Sequence, residues 1–444
     1  MDMIFYILRL KICGLKNIEA PVEFNFYKKT INNDFNPEKY RIKAIYGENG
    51  SGKTAIITSV KLLQNLLMDK SYLADYDTQR SLVEMVNKKT KKGFVECEFY
   101  VNIDDAKTIM CYRVDFAVKN DERFYITAEE LKSKNGRYSK NAFASVFVTR
   151  DGSLVEYADK SAFSYFKEKT MNLLDKQTFS TSLIDIGDIE KEYRQTDAFV
   201  SQMLLSIFAM SLYVSLDEAD SHINYAIRER IRNMDEETLK SHGIDLIHQI
   251  NNKVLSTNCN EHMIPKKFFE AYEKKTARLC DFIKIFKPEL KGIEIEKKDY
   301  DKCYRCNLKM VYEDYTLDKE FESRGIKKLM DLFNFLDAAS TGAIVFIDEL
   351  DSNINDVYLD KLIEYFVYYG RGQLCFTSHN LSPMSVLKGN KNSINFISSI
   401  NTVHVWANSG NLNPENAYKN GFIEDSPFNV DASDFLGILG ELDE

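Results

Sequence analysis

Residues 41–54 read Arg-Ile-Lys-Ala-Ile-Tyr-Gly-Glu-Asn-Gly-Ser-Gly-Lys-Thr. The apolar run Ile42, Ala44, Ile45, Tyr46 reads as a buried strand. It enters Gly47-x-x-x-x-Gly52-Lys53-Thr54, and Ala55-Ile56-Ile57 then begins a helix. Strand, glycine-rich loop and helix in that order form a phosphate cradle. The spacing has a chemical reason. Gly47, Gly50 and Gly52 let successive backbone N–H groups turn inward around a phosphate. The helix N-terminus adds partial positive charge. Lys53 reaches the outer phosphates, and Thr54 offers its hydroxyl to Mg²⁺. The residues expected to bind nucleotide are Gly47, Asn49, Gly50, Ser51, Gly52, Lys53 and Thr54.

Two later strands end in chemistry that suits such a loop. Residues 343–349 read Ala-Ile-Val-Phe-Ile-Asp-Glu. Asp348 would hold Mg²⁺ and Glu349 would polarise the attacking water. Ligands of open α/β sheets gather at the C-terminal ends of strands, which is where this pair falls. Leu374–Phe376 reads as another buried strand, ending in Thr377-Ser378-His379, with His379 thirty residues past Glu349. His379 there can hydrogen-bond the γ-phosphate and the attacking water. Upstream, Ser323 and Gly325 open a helical pattern carried by Leu329, Met330, Leu332, Phe333 and Leu336. They make a second anion site. One ATP in one chain needs a single γ-phosphate site, whereas two chains facing head to tail need both, each helix start closing over the partner's nucleotide.

The ordered set Gly47–Thr54, Ser323-Arg324-Gly325, Asp348-Glu349 and His379 resembles the ABC-type ATPases. More narrowly, it resembles the solitary bacterial AAA-15/AAA-21 group, related to SMC proteins and to the overcoming-lysogenisation-defect nucleases. The opening Leu8–Ile18 is similar to that group's first strand, with Lys16-Asn17 expected to approach the nucleotide. The likeness covers roughly residues 1–60 and 320–410. It implies a P-loop NTPase fold of ABC type with an antiparallel β-subdomain and a helical insertion. It also implies a homodimer or higher oligomer that sandwiches ATP and Mg²⁺. The group includes ATPases of anti-phage defence, so the resemblance implies a sensor or regulator of a separate effector protein, such as a nuclease. The alternative is a chromosome-maintenance or repair ATPase that binds DNA, which would need a basic groove. The signature reads Glu-Ser-Arg-Gly-Ile-Lys, not the transporter Leu-Ser-Gly-Gly-Gln. After Glu349, Leu350-Asp351-Ser352-Asn353 takes the D-loop place, and Asn353-Ile354-Asn355 stands where Leu-His-Pro is frequent. Gln79 and Gln177 are both candidates for the Q-loop.

Composition sets the outer limits. The chain has 444 residues, with 58 Lys+Arg against 67 Asp+Glu, a formal charge of −9. Hydrophobic residues at 44% and charged residues at 28% exclude collagenous, disordered and mucin-like classes. The length predicts two or three lobes. Net negative charge argues against a surface coated in nucleic acid, leaving room only for a local groove. Eight scattered cysteines and the absence of a signal-peptide order predict a cytoplasmic protein. Ala198–Leu216 runs 19 residues without charge. It is read as a buried helix, because a membrane span there would separate the two halves of one ATP site.

Three regions are expected: an ATPase lobe at 1–155, a helical insertion at 156–290, and a second ATPase lobe at 291–444. Residues 94–149 alternate like the strands of an antiparallel meander. Ser215–Glu218 and Pro265 are expected to open helices. The 268 residues between Thr54 and Ser323 lack the sustained heptads of a long coiled-coil arm. The 65 residues after His379 are too few for an appended nuclease domain. Cys303 and Cys306 could pair with Cys259 and His262 around zinc, but residues three apart on a strand face opposite ways. Lys88–Lys92 reads as a solvated turn, with a phosphate-backbone grip as its rival. The acidic segment 424–444 carries Phe428, Phe435, Leu436, Ile438 and Leu439, which suit docking on the ATPase or on a partner.

Overall fold

A computed structural model describes residues 3–27, 36–104, 106–136, 142–185, 189, 191–216, 262–352, 354–390, 392–407 and 412–426. Its strands, in chain order, are β1 (Met3–Cys13), β2 (Val22–Asn25), β3 (Ile42–Tyr46), β4 (Lys92–Ile103), β5 (Ala106–Val118), β6 (Phe124–Asn135), β7 (Ala144–Arg150), β8 (Ser153–Tyr157), β9 (Leu212–Ser215), β10 (His262–Pro265), β11 (Gly292–Tyr300), β12 (Cys303–Val311), β13 (Thr316–Asp318), β14 (Ile344–Ile347), β15 (Gln373–Thr377), β16 (Ile394–Ile397) and β17 (Val403–Val405).

The short apolar runs become the central sheet. β3, β14, β15 and β16 are buried at every residue. Burial on both faces explains why they read as continuous apolar runs rather than alternations. The sheet order is β17-β16-β3-β15-β14-β9. Its strands are parallel from β16 to β9, and β17 joins the edge antiparallel. β15 therefore lies between the strand leading into the glycine-rich loop and the strand that ends just before Asp348. The three C-terminal ends fall on one sheet edge.

The apolar stretch from Ala198 divides into two elements. A helix, Asp197–Ser211, is capped by Thr196, whose Oγ1 accepts from Phe199 N at 3.3 Å. The chain then turns directly into β9, which pairs parallel with β14. The segment is largely buried, with Val200 and Met203 exposed, and it is not one helix. A buried helix and a buried strand share composition, so the junction at Leu212 leaves no mark in the sequence. Among the described residues, no helix is long and apolar enough to cross a membrane. The span 156–290 supplies helices at Lys160–Lys169, Phe179–Asp185 and Phe269–Phe286, yet it also contributes β9 and β10 to two sheets. Ser215 ends a strand, and residues 217–261 lie outside the described residues.

The alternating segment supplies β4 to β7 of a seven-stranded sheet, completed by β1, β2 and β8 in the order β2-β1-β4-β5-β6-β7-β8 and antiparallel throughout. One face buries Val95, Cys97 and Phe99 with Tyr112, Val114 and Phe116. Phe99 stacks on Phe208 of the Asp197–Ser211 helix. The other face pairs charges: Arg9 with Glu98 at 3.1 Å, and Arg113 with Asp115 at 2.7 Å. The two large sheets are joined by buried polar groups. Gln373, at the start of β15, accepts from Ile7 N at 2.9 Å and donates to Ile7 O at 3.1 Å. Its amide acts as one more strand partner for β1, where the β1–β4 register shifts. Lys43 on β3 donates to Asn25 O and lies over the Phe24 and Phe26 rings. Burial pushes its pKa down to about 7.

A third sheet, β10-β12-β11 with β13 on β12, leads into the Arg324–Ser340 helix. That helix is tied to the Phe269–Phe286 helix by Arg278 on Asp337 at 2.5 Å. Cys303 and Cys306 are both buried on β12. Cys259 and the His262 side chain lie outside the described residues, among which no cluster of three or more His, Cys, Asp or Glu could hold a metal. In the lysine run, Lys88 pairs with Glu84 and Lys89 with Glu19. The apolar residues from Phe428 onward lie outside the described residues.

Candidate active site

The loop between β3 and the Lys53–Met68 helix needs its glycines. Gly52 has φ +104°, a conformation that L side chains rarely adopt. A Cβ on Gly47 would meet Ile397 O at 2.4 Å. Lys53, 6% exposed, folds back over the loop and donates to Gly47 O at 2.7 Å and Glu48 O at 3.0 Å. Burial lowers its pKa, while Asp348, Glu349, Asp351 and Glu48 act in the opposite sense. The cation from the loop and the carboxylates after β14 thus share one electrostatic environment. Ser51 Oγ is buried without a hydrogen-bond partner among the described residues. Asn49 and Gly50 are exposed, and Thr54 is half-buried at the helix start.

Two asparagines hold the loop from outside. Asn17 Nδ2 donates to Gly50 O, and Asn401 Nδ2 donates to Ser51 O at 2.9 Å. The loop carrying Asn17 is itself fixed: Lys16 N donates to Met85 O at 2.7 Å, and Asn87 Nδ2 donates to Lys16 O at 2.8 Å. Beneath it Gly14 and Gly93 cross in close contact. A Cβ on Gly14 would lie 2.0 Å from Lys92 O, and one on Gly93 2.1 Å from Cys13 O.

The turns after β14 and β15 are laced together. Thr377 Oγ1 donates to Asp348 Oδ1 at 2.5 Å and accepts from Glu349 N at 2.8 Å. Leu350 N donates to Thr377 O at 3.1 Å. These bonds hold Glu349 at φ +49°, with its side chain exposed. Asp351 Oδ2 accepts from His379 N at 3.2 Å and Asn380 N at 3.0 Å. Its Oδ1 is buried without a partner among the described residues. His379 is exposed beside this turn.

Ser323 and Gly325 stand apart from this set. Ser323 caps the Arg324–Ser340 helix, its Oγ accepting from Ile326 N at 3.4 Å. Buried Glu322 accepts from Ser323 N at 3.0 Å and from the Tyr312 hydroxyl. Ser323 is exposed, and a Cβ on Gly325 would meet nothing within 4 Å. The helix start therefore faces open space. Of the Q-loop candidates, Gln79 spends its amide on the backbone of β6, accepting from Phe124 N at 2.9 Å, and Gln177 donates to Ser182 Oγ at 2.9 Å.

Chemically, the donors fit an anion: a lysine resting on carbonyls, an orphaned buried hydroxyl, and a helix N-terminus. Asp348 and Thr54 supply hard oxygen donors that fit Mg²⁺, an ion that takes few protein ligands and keeps others for water and phosphate. Thr377 occupies one Asp348 oxygen and leaves the other for such a role. Asn401 carried no sequence signal, because a single bracing amide needs no motif. Compared with known proteins, the chain matches no family model and no curated protein.

Proposed function

We propose that this protein binds and hydrolyses ATP as an ABC-type ATPase, in a head-to-tail dimer, and regulates a separate effector protein. The observation that carries the ATPase reading is the convergence of buried Lys53 with Asp348 and Glu349 across a strand that brings Thr377 and His379 between them. Lys53 binds and orients the phosphates. Asp348 and Thr54 would hold Mg²⁺, which when bound neutralises charge on the phosphate oxygens. Glu349 accepts a proton from the attacking water, and His379 steadies that water. Thr377 fixes the carboxylates by clamping their turn. The dimer and the regulatory role follow from the resemblance, and the exposed start of the Arg324–Ser340 helix suits closure over a second chain.

Two experiments test this reading. Thr377→Val keeps the shape of the side chain and removes both clamp bonds. It should lower turnover by about tenfold or more with ATP affinity nearly unchanged, because misplaced catalytic groups slow chemistry more than binding. Thr377→Ser should restore the rate. Equal turnover in the valine variant removes Thr377 from the mechanism.

The dimer is tested by complementation. Ser323→Arg and Lys53→Ala homodimers should both be inactive. Mixed in equal amounts and allowed to exchange, they should recover roughly a quarter of wild-type turnover, since half the dimers are mixed and each has one competent composite site. No recovery in exchanged mixtures refutes the head-to-tail arrangement.

A further inference from the structure

We infer that Asn401 is a positioning residue for the phosphate loop, setting the direction of the Gly52 N–H. The inference rests on the nucleotide reading above for its consequence, but its geometry stands alone. Asn401 lies in the turn between β16 and β17, far in sequence from the loop, and donates from Nδ2 to Ser51 O. A carbonyl oxygen can only accept, so the NH₂ end of the amide must be the end facing it. The peptide joining Ser51 and Gly52 is planar and trans, so a gripped carbonyl sends the Gly52 N–H to the opposite side. Gly52 itself is wedged between the two braces. A Cβ there would lie 3.3 Å from Asn401 Nδ2 and 3.5 Å from Asn17 Oδ1. The loop thus has two of its consecutive carbonyls, at Gly50 and Ser51, held from outside.

Asn401 is rigidly presented. It sits at φ +64°, a left-handed conformation that asparagine tolerates better than most residues. Its N–H donates to Ser398 O at 2.9 Å, and Thr402 N donates to Ser398 Oγ at 3.0 Å. Asp425 Oδ2 clasps the same turn, accepting from Ser399 N at 2.9 Å and Ser399 Oγ at 2.8 Å. The turn that presents the side chain is therefore held by its own bonds, which lowers the entropy cost of gripping the loop.

The test uses the full chain and two readouts. Asn401→Gly is the informative variant, because glycine keeps the left-handed turn and loses only the amide. It should weaken ATP–Mg²⁺ binding about fivefold, the effect of one hydrogen bond, with kcat unchanged within about twofold. Asn401→Asp sets a carboxylate against Ser51 O and beside the phosphate, and should weaken binding more, by about tenfold or greater. Asp425→Ala should act in the same direction and more weakly. Independently of ATP, amide exchange measured by mass spectrometry on the peptide spanning residues 46–54 should speed up in nucleotide-free Asn401→Gly. Wild-type exchange together with wild-type ATP affinity in that variant overturns the inference. If Asn401→Gly does not fold, Asn401→Asp decides by the same criteria. If wild-type protein binds no ATP, the nucleotide reading fails, and loop exchange alone judges the brace.

Discussion

Replacing Lys53 with alanine should reduce ATP affinity by about a hundredfold or more. Lys53 is the buried cation of the loop, and hydrogen bonds to charged partners contribute roughly 1.5–3 kcal/mol each. Among the described residues, the charged groups that act on Lys53 most strongly are all acidic. The groups that surround Lys53 are the carbonyls of Gly47 and Glu48 and the carboxylates of Asp348, Glu349 and Asp351. Without the lysine they would present only negative charge to a polyanion. Isothermal titration with ATP and Mg²⁺ reads the effect directly. Unchanged affinity would refute the assignment of this loop to phosphate binding.

Glu349→Gln should leave ATP binding intact and lower turnover by about 10²- to 10⁴-fold, the usual contribution of a positioned general base. The substitution is suited to the site. Glu349 adopts φ +49°, held by the bond from its N–H to Thr377. Glutamine can keep that backbone and that bond while losing the basic oxygen. With hydrolysis stopped, the ATP-bound dimer should accumulate, visible as a doubled mass by light scattering. Wild-type turnover in this variant removes Glu349 from the mechanism. Purified with ATP present, the same variant should retain an effector protein identifiable by mass spectrometry. Nucleic acid alone, resistant to moderate salt, would favour direct DNA binding instead.

The parts of this molecule legible in the sequence are those in which local chemistry and long-range position coincide. β3, β14 and β15 announce themselves because a strand buried on both faces must be apolar, and its functional end must then break into Gly, Asp or His. The meander β4 to β7 is legible because a sheet with one solvated face alternates, whereas β8 lies beyond the alternating stretch. β9 was hidden, since Leu212–Ser215 extends an apolar helix without a break in composition. The order β3-β15-β14 is a fact of tertiary pairing that no window of sequence contains. Thr377 could be seen at a strand end, but its grip on both Asp348 and Glu349 depends on that order. Asn401 is the extreme case, one amide on a distant turn whose meaning exists only once the chain is folded.

The crossing of Gly14 and Gly93 limits how this chain can change over evolutionary time. Each glycine occupies the space that a side chain on the other strand's backbone would need, and the obstacles are peptide atoms of Cys13 and Lys92. A second mutation cannot relieve the first: the Phe116 ring also lies 2.9 Å from a Cβ on Gly93, but trimming it would leave the backbone atoms in place. Single-step and paired-step drift are both blocked at this point. The loop that carries Asn17 to the Gly50 carbonyl is thereby held against the start of β4.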